Sequence, residues 1–115
     1  DPARHDAAVA TISHLPLLAA AAVVLTATDR PDWELARVLA ASGFRDTTRL
    51  ASGDPQMARD ICLTNTQPLL EALDAYVTTL QQLRAQVAAR DPRIRARFAA
   101  AQQARDAWLG GQPAH

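Results

Sequence analysis

From Leu15 to Leu25 the chain reads Leu-Pro-Leu-Leu-Ala-Ala-Ala-Ala-Val-Val-Leu, without one charged or hydrogen-bonding side chain. The run lies inside a longer helical stretch, about Ala3 to Thr28, that is apolar or small on every face once past Ile12. A helix apolar all round has to be enclosed all round. A chain of 115 residues has little material for enclosing one element completely, so a second subunit is the most economical source of the missing cover. The four alanines Ala19 to Ala22 let neighbouring backbones approach closely. The uninterrupted run is also shorter than the roughly 20 residues of a membrane span, so no membrane partner is expected.

What surrounds this helix follows from composition. Hydrophobic residues make up 49% of the chain but aromatic residues only 4%. A core of Ala, Leu and Val suits close helix packing better than a β-sandwich, which draws on aromatic and β-branched residues. The expected fold class is all-α, in a single domain. Net charge is zero and every basic residue is Arg, so no electrostatic footprint points to nucleic acid. The single Cys62 excludes an internal disulfide and fits a reducing compartment. The polar start Asp1-Pro2-Ala3-Arg4-His5-Asp6 is unlike a signal peptide, which together with Cys62 places the protein in the cytoplasm. Opening on Asp1 fits a piece of a longer gene product.

The remaining elements are marked by caps and periodicity. Asp29-Arg30-Pro31-Asp32 stops one helix and starts another, expected from Pro31 to Ser42 with Trp33, Leu35, Val38 and Leu39 as its buried stripe and Gly43 as its left-handed terminator. The polar segment Gly43 to Asp54 is a loop or a short helix. Asp54-Pro55 starts a helix to about Leu63, with Met57, Ile61 and Cys62 toward the core. Leu69, Leu73, Tyr76, Leu80, Leu83 and Val87 form a heptad seam on a long helix reaching about Arg90. Asp91-Pro92 opens a last helix, with Ile94, Phe98, Ala101 and Trp108 on one side and Gly110-Gly111 at its end. Residues 111–115 are expected to form a tail.

Two stretches carry chemistry. In Ser13-His14-Leu15-Pro16, proline removes a backbone hydrogen bond and crowds the carbonyl of Ile12, so the helix should kink or open beside an imidazole. That turn is either a helix break with a satisfied core histidine or one wall of a ligand pocket. The second stretch is Arg45-Asp46-Thr47-Thr48-Arg49, where Arg49 either pairs with Asp46 or Asp54 on the surface or offers a fixed fork to a carboxylate. No glycine-rich phosphate loop and no metal-ligand spacing is present. His5 and His14 lie nine positions apart, about 180° around a helix, which argues against shared metal coordination. Arg90, Arg93, Arg95 and Arg97 read as a solvated helix face.

His5-Asp6, Ser13-His14-Leu15-Pro16, Gly43-Phe44-Arg45-Asp46-Thr47-Thr48-Arg49-Leu50-Ala51, Asp54-Pro55 and Asn65, in that order, resemble the C-terminal helical domain of the prephenate and arogenate dehydrogenase family of tyrosine biosynthesis. The match spans roughly residues 4 to 70. The resemblance implies an all-α domain over residues 1–110 whose long helices intertwine with those of a second copy to form a homodimer. It also implies an N-terminal dinucleotide-binding domain, outside this chain, that holds NAD or NADP and the catalytic histidine. The full enzyme would oxidatively decarboxylate prephenate or arogenate. This chain alone would be inactive, with no catalytic, cofactor-binding or metal-binding residue of its own. By resemblance His14 and Arg49 contact the substrate, with Arg49 on a carboxylate. His5, Asp6, Ser13, Asp46 and Thr48 are then supporting or interdomain groups.

This chain departs from the family pattern twice. Leu17 stands where a second histidine often follows Ser-His-Leu-Pro, and Ala58 stands where a tryptophan commonly follows Met57. Two other readings compete. One is a ligand-free helical oligomerisation module built on the Leu69 to Val87 seam. The other is a small all-α mutase acting on chorismate, disfavoured by the absence of Lys and by the polar loop in mid-chain.

Overall fold

The structure, a computed structural model, describes residues 1–111. Among these residues there is no strand, as the composition predicts, and the chain forms two compact units, residues 1–75 and residues from 76 onward. The expected tail lies outside the described residues apart from Gly111.

The first unit opens with one continuous helix in three parts: α1 (Pro2–Val9), a π-helical turn (Ala10–His14) and α2 (Leu15–Thr28). Asp1 caps its start, its Oδ1 accepting from the Ala3 N–H at 3.1 Å. The break that Pro16 predicts appears as a widened turn: the Leu15 N–H donates to the carbonyl of Ala10, five residues back. Proline has no N–H to return one turn back, and a π turn absorbs that gap by taking in one extra residue. The whole helix Pro2–Thr28 spans 27 residues and is long and apolar enough, by length and composition, to cross a membrane. The helix is longer than the uninterrupted run because the scattered polar residues before Leu15 do not break it.

After a turn come α3 (Trp33–Leu39), α4 (Ser42–Thr48), a 3-10 turn (Arg49–Ser52), α5 (Pro55–Thr64) and the start of α6 (Thr66–Ala88). The 3-10 turn and α4 pack on α2, and the Trp33 and Phe44 rings meet at 6.1 Å between centroids, tilted by 45°. Asp54 caps α5 as its Asp-Pro signal predicts, accepting from the Gln56 N–H at 3.0 Å. Gly43 is not the terminator of α3. Ala40 already leaves the helix in extended conformation, at φ −61° and ψ 133°, and Gly43 falls in the first turn of α4.

In the second unit α6 ends in a Schellman-type closure. The Asp91 N–H returns to the Gln86 carbonyl at 3.0 Å, and Arg90 takes the left-handed conformation at φ 51° that a glycine more often supplies. Asp91 then holds the turn into α7 (Ile94–Gly110) by accepting from both the backbone N–H and the guanidinium of Arg93, each at 2.9 Å. Arg97 donates to the Gln82 side-chain carbonyl at 3.2 Å, tying α7 to α6.

The core is small. Among the described residues only Ala10, Ala20 and Leu69 are buried. The stripe expected on α3 is not: Leu35, Val38 and Leu39 are 63%, 73% and 71% exposed, and Met57 and Phe98 also face outward. These positions are apolar, but the described residues of this copy leave them uncovered. A self-contained chain of this mass exposes about 6,100 Å², whereas this one exposes 9246 Å².

Candidate functional site

The site grows from the π turn. Widening the helix at Ala10–His14 places His14 at its end, half-buried, with Pro16 two residues on. Asn65, the residue that closes α5, reaches across to it: the Asn65 Nδ2 lies 3.2 Å from His14 Nδ1 and donates at 3.1 Å to the backbone carbonyl of Asp6. One amide therefore holds both sides of the π turn. The backbone of Asn65 is itself fixed, its N–H on the Ile61 carbonyl at 3.0 Å and its carbonyl on the Leu69 N–H at 3.1 Å.

The other sequence-derived residues fall into two groups. His5 and Asp6 form a solvent-facing pair, Nδ1 to Oδ1 at 3.5 Å, and Ser13 is exposed on the π turn. In the segment that packs on α2, the Thr48 hydroxyl donates to the Phe44 carbonyl at 2.6 Å, closing α4 where Arg49 begins the 3-10 turn. Arg49 and Asp46 are both exposed, and among the described residues no ion pair engages either. Asp54 is occupied as a helix cap. The alternative in which Arg49 is neutralised by Asp46 or Asp54 therefore has no counterpart in the structure, and its fork is free for an outside anion.

Between the two motifs lies a cavity of about 210 Å³, walled by Leu17, Leu18 and Ala21 of α2, Leu50 and Ala51 of the 3-10 turn, and Ala58 and Cys62 of α5. Its lining is almost wholly apolar. Leu17 follows His14 by three positions and Leu50 follows Arg49 directly, so the cavity sits next to both polar stretches. The two departures from the family pattern, Leu17 and Ala58, are 41 positions apart in sequence and line this same cavity. Among the described residues no three His, Cys, Asp or Glu side chains gather as metal ligands.

Asn65 is the residue whose role sequence reading missed. It belongs to the motif set, but its partners are 51 and 59 positions away, and no local pattern announces a contact at that range. The only local signal is an Asn at a helix C-terminus, which has ordinary capping explanations.

A family model described as "Prephenate dehydrogenase, dimerization domain" matches residues 1–100. The prephenate dehydrogenase of Bacillus subtilis is 37% identical over 91 residues, which cover 78% of this chain and 24% of that protein. The chain thus spans about a quarter of the length of that curated relative. Among solved structures, Synechocystis arogenate dehydrogenase superposes with a TM-score of 0.89 at 35% identity, covering 94% of this chain and 40% of that one. Prephenate dehydrogenase from A. aeolicus, solved with hydroxyphenyl propionate and NAD+, superposes with a TM-score of 0.79 at 27% identity, over 95% of this chain and 38% of that one. With both motifs in order, an all-helical fold and a family model over most of its length, this chain belongs to the prephenate dehydrogenase dimerization-domain family.

Proposed function

We propose that residues 1–110 are the C-terminal domain of a prephenate or arogenate dehydrogenase of tyrosine biosynthesis, supplying its homodimer interface and part of its substrate pocket. The observation that carries this reading is an unneutralised Arg49 immediately before Leu50, which lines an apolar cavity together with Leu17, three residues after His14. A prephenate-like substrate has two needs: a grip on carboxylate and a dry seat for a six-membered ring. The Arg49 fork meets the first through charge-assisted, bidentate hydrogen bonds. The cavity meets the second, since an aliphatic cavity of about 150 Å³ is enough to hold benzene.

The described residues offer no strand-to-helix glycine turn for a pyrophosphate. On this reading NAD or NADP belongs to a separate N-terminal domain, where hydride transfer and loss of carbon dioxide take place. This chain's residues bind and orient: Arg49 on a carboxylate, His14 on the pocket wall, and His5, Asp6, Ser13, Asp46 and Thr48 in support or at the domain junction. The apolar helix Pro2–Thr28 then packs against a second copy and not against lipid, in a cytoplasmic enzyme.

Replacing Arg49 by Ala in the complete enzyme tests this. Losing a charge-assisted carboxylate contact of about 1.5–3 kcal/mol lowers kcat/KM by roughly 10- to 150-fold. Unchanged kinetics would refute the role of Arg49. The exposed apolar stripe on α3 would then favour the ligand-free oligomerisation module.

A further inference from the structure

We propose that Asn65 is the positioning residue that fixes the imidazole of His14 in one tautomer, with Nδ1 as acceptor and Nε2–H as the donor presented to the substrate. The inference rests on the reading above that His14 faces the substrate, and adds what that contact requires.

The chemistry of the partners settles the direction of the bonds. The Asp6 carbonyl can only accept, so the edge of the Asn65 amide 3.1 Å from it is the NH2 group. The second hydrogen of that group is left to point at His14 Nδ1, 3.2 Å away. A donor aimed at Nδ1 requires a lone pair there, so the proton of the neutral ring sits on Nε2. The amide is held from both sides, because the Asn65 backbone is bonded into the end of α5 and the start of α6.

The π turn is what lets one amide reach both groups. Asp6 and His14 are eight positions apart, which in an unbroken α-helix puts them about 80° apart around the axis. The extra residue of the π turn makes the interval count as seven, which closes the offset to about 20°. The Asp6 carbonyl has capacity to spare at this point, since the Ala10 N–H is shared between it and the Ala7 carbonyl. Pro16, which has no N–H of its own to return, makes the widened register less costly. The helix break and the imidazole are thus one device: the break turns His14 onto the face where Asn65 can set its proton.

Nitrogen-15 NMR of the chain labelled at His and Asn tests the clamp directly, at a pH where His14 is neutral. The wild-type ring should show an unprotonated Nδ1, a protonated Nε2 and a scalar coupling from Asn65 Nδ2 to His14 Nδ1 across the hydrogen bond. In N65D the carboxylate can only accept, so the proton should move to Nδ1. In the complete dehydrogenase the same substitution replaces a donor by a lone pair at the substrate, raising KM on the order of tenfold or more with a smaller change in kcat. A wild-type Nδ1 proton, a missing coupling, or a folded N65D that keeps its proton on Nε2 overturns the clamp. If N65D does not fold, the wild-type coupling alone decides. Tautomer inversion with an unchanged KM leaves the clamp standing and overturns the placing of Nε2 against substrate.

Discussion

The cavity beside the two motifs makes a prediction with opposite signs for stability and for activity. Ala58 lines a space of about 210 Å³ together with Leu17 and Leu18. Ala58→Leu adds three carbons that project into apolar surroundings. At about 0.8 kcal/mol per buried methylene the transfer gain is about 2.4 kcal/mol, and fixing the longer side chain removes about 0.5–1 kcal/mol of it. A net stabilisation of about 1–2 kcal/mol follows, which raises the midpoint of thermal unfolding by roughly 4–16 °C. The same carbons occupy the seat assigned to the substrate ring, so in the complete enzyme KM should rise while the protein grows more stable. Thermal unfolding of the chain and steady-state kinetics of the enzyme read the two effects separately. Destabilisation by about 1–3 kcal/mol, the signature of overpacking, would mean that the space is already filled in the assembled protein. Stabilisation with an unchanged KM would leave a real cavity that holds no ring.

Two further outcomes follow. The chain exposes 9246 Å², about 3,000 Å² more than a self-contained chain of its mass, so two copies together carry an excess of about 6,000 Å², at the large end of what obligate interfaces cover. Sedimentation at tens of micromolar should therefore give twice the 12.4 kDa chain mass, and a clean monomer would refute the shared core. The guanidinium of Arg93, aided by its backbone N–H, holds the Asp91 carboxyl below the usual carboxylate range. A depressed carboxyl stabilises the fold above its unfolded value, about pH 3.9, and loses that contribution as pH falls through the lower folded value. The stability gap between wild type and Asp91→Asn should accordingly narrow below about pH 4, and a gap that does not change with pH would dissociate the ion pair from stability.

How much of this was legible in the chain depends on the range of the interaction. The Asp54-Pro55 start and the heptad seam of α6 are local signals, and both helices form close to where those signals put them. Gly43 misled because a C-terminal glycine is informative only if the helix lasts until it, and α3 ends at Leu39 with no residue that marks the exit. Leu35, Val38 and Leu39 form an apolar stripe whose spacing is legible and whose exposure is not, since periodicity shows which side of a helix is apolar and never which copy of the chain covers it.

The functional stretch shows the same limit in finer form. Proline at position 16 locates a disturbance, and its missing N–H says that one turn of hydrogen bonds must change. It does not say whether the helix bends, unwinds or widens, because those outcomes are close in local energy. What distinguishes them is a contact made 51 positions later. The Asn65 amide reaches both the Asp6 carbonyl and the His14 ring only when the turn between them takes in one extra residue. A motif made of the four residues Ser13 to Pro16 is therefore incomplete as a description of the site. Its smallest self-consistent form includes Asp6 and Asn65, and substitutions at Asn65 should act on His14 as strongly as changes within the motif itself.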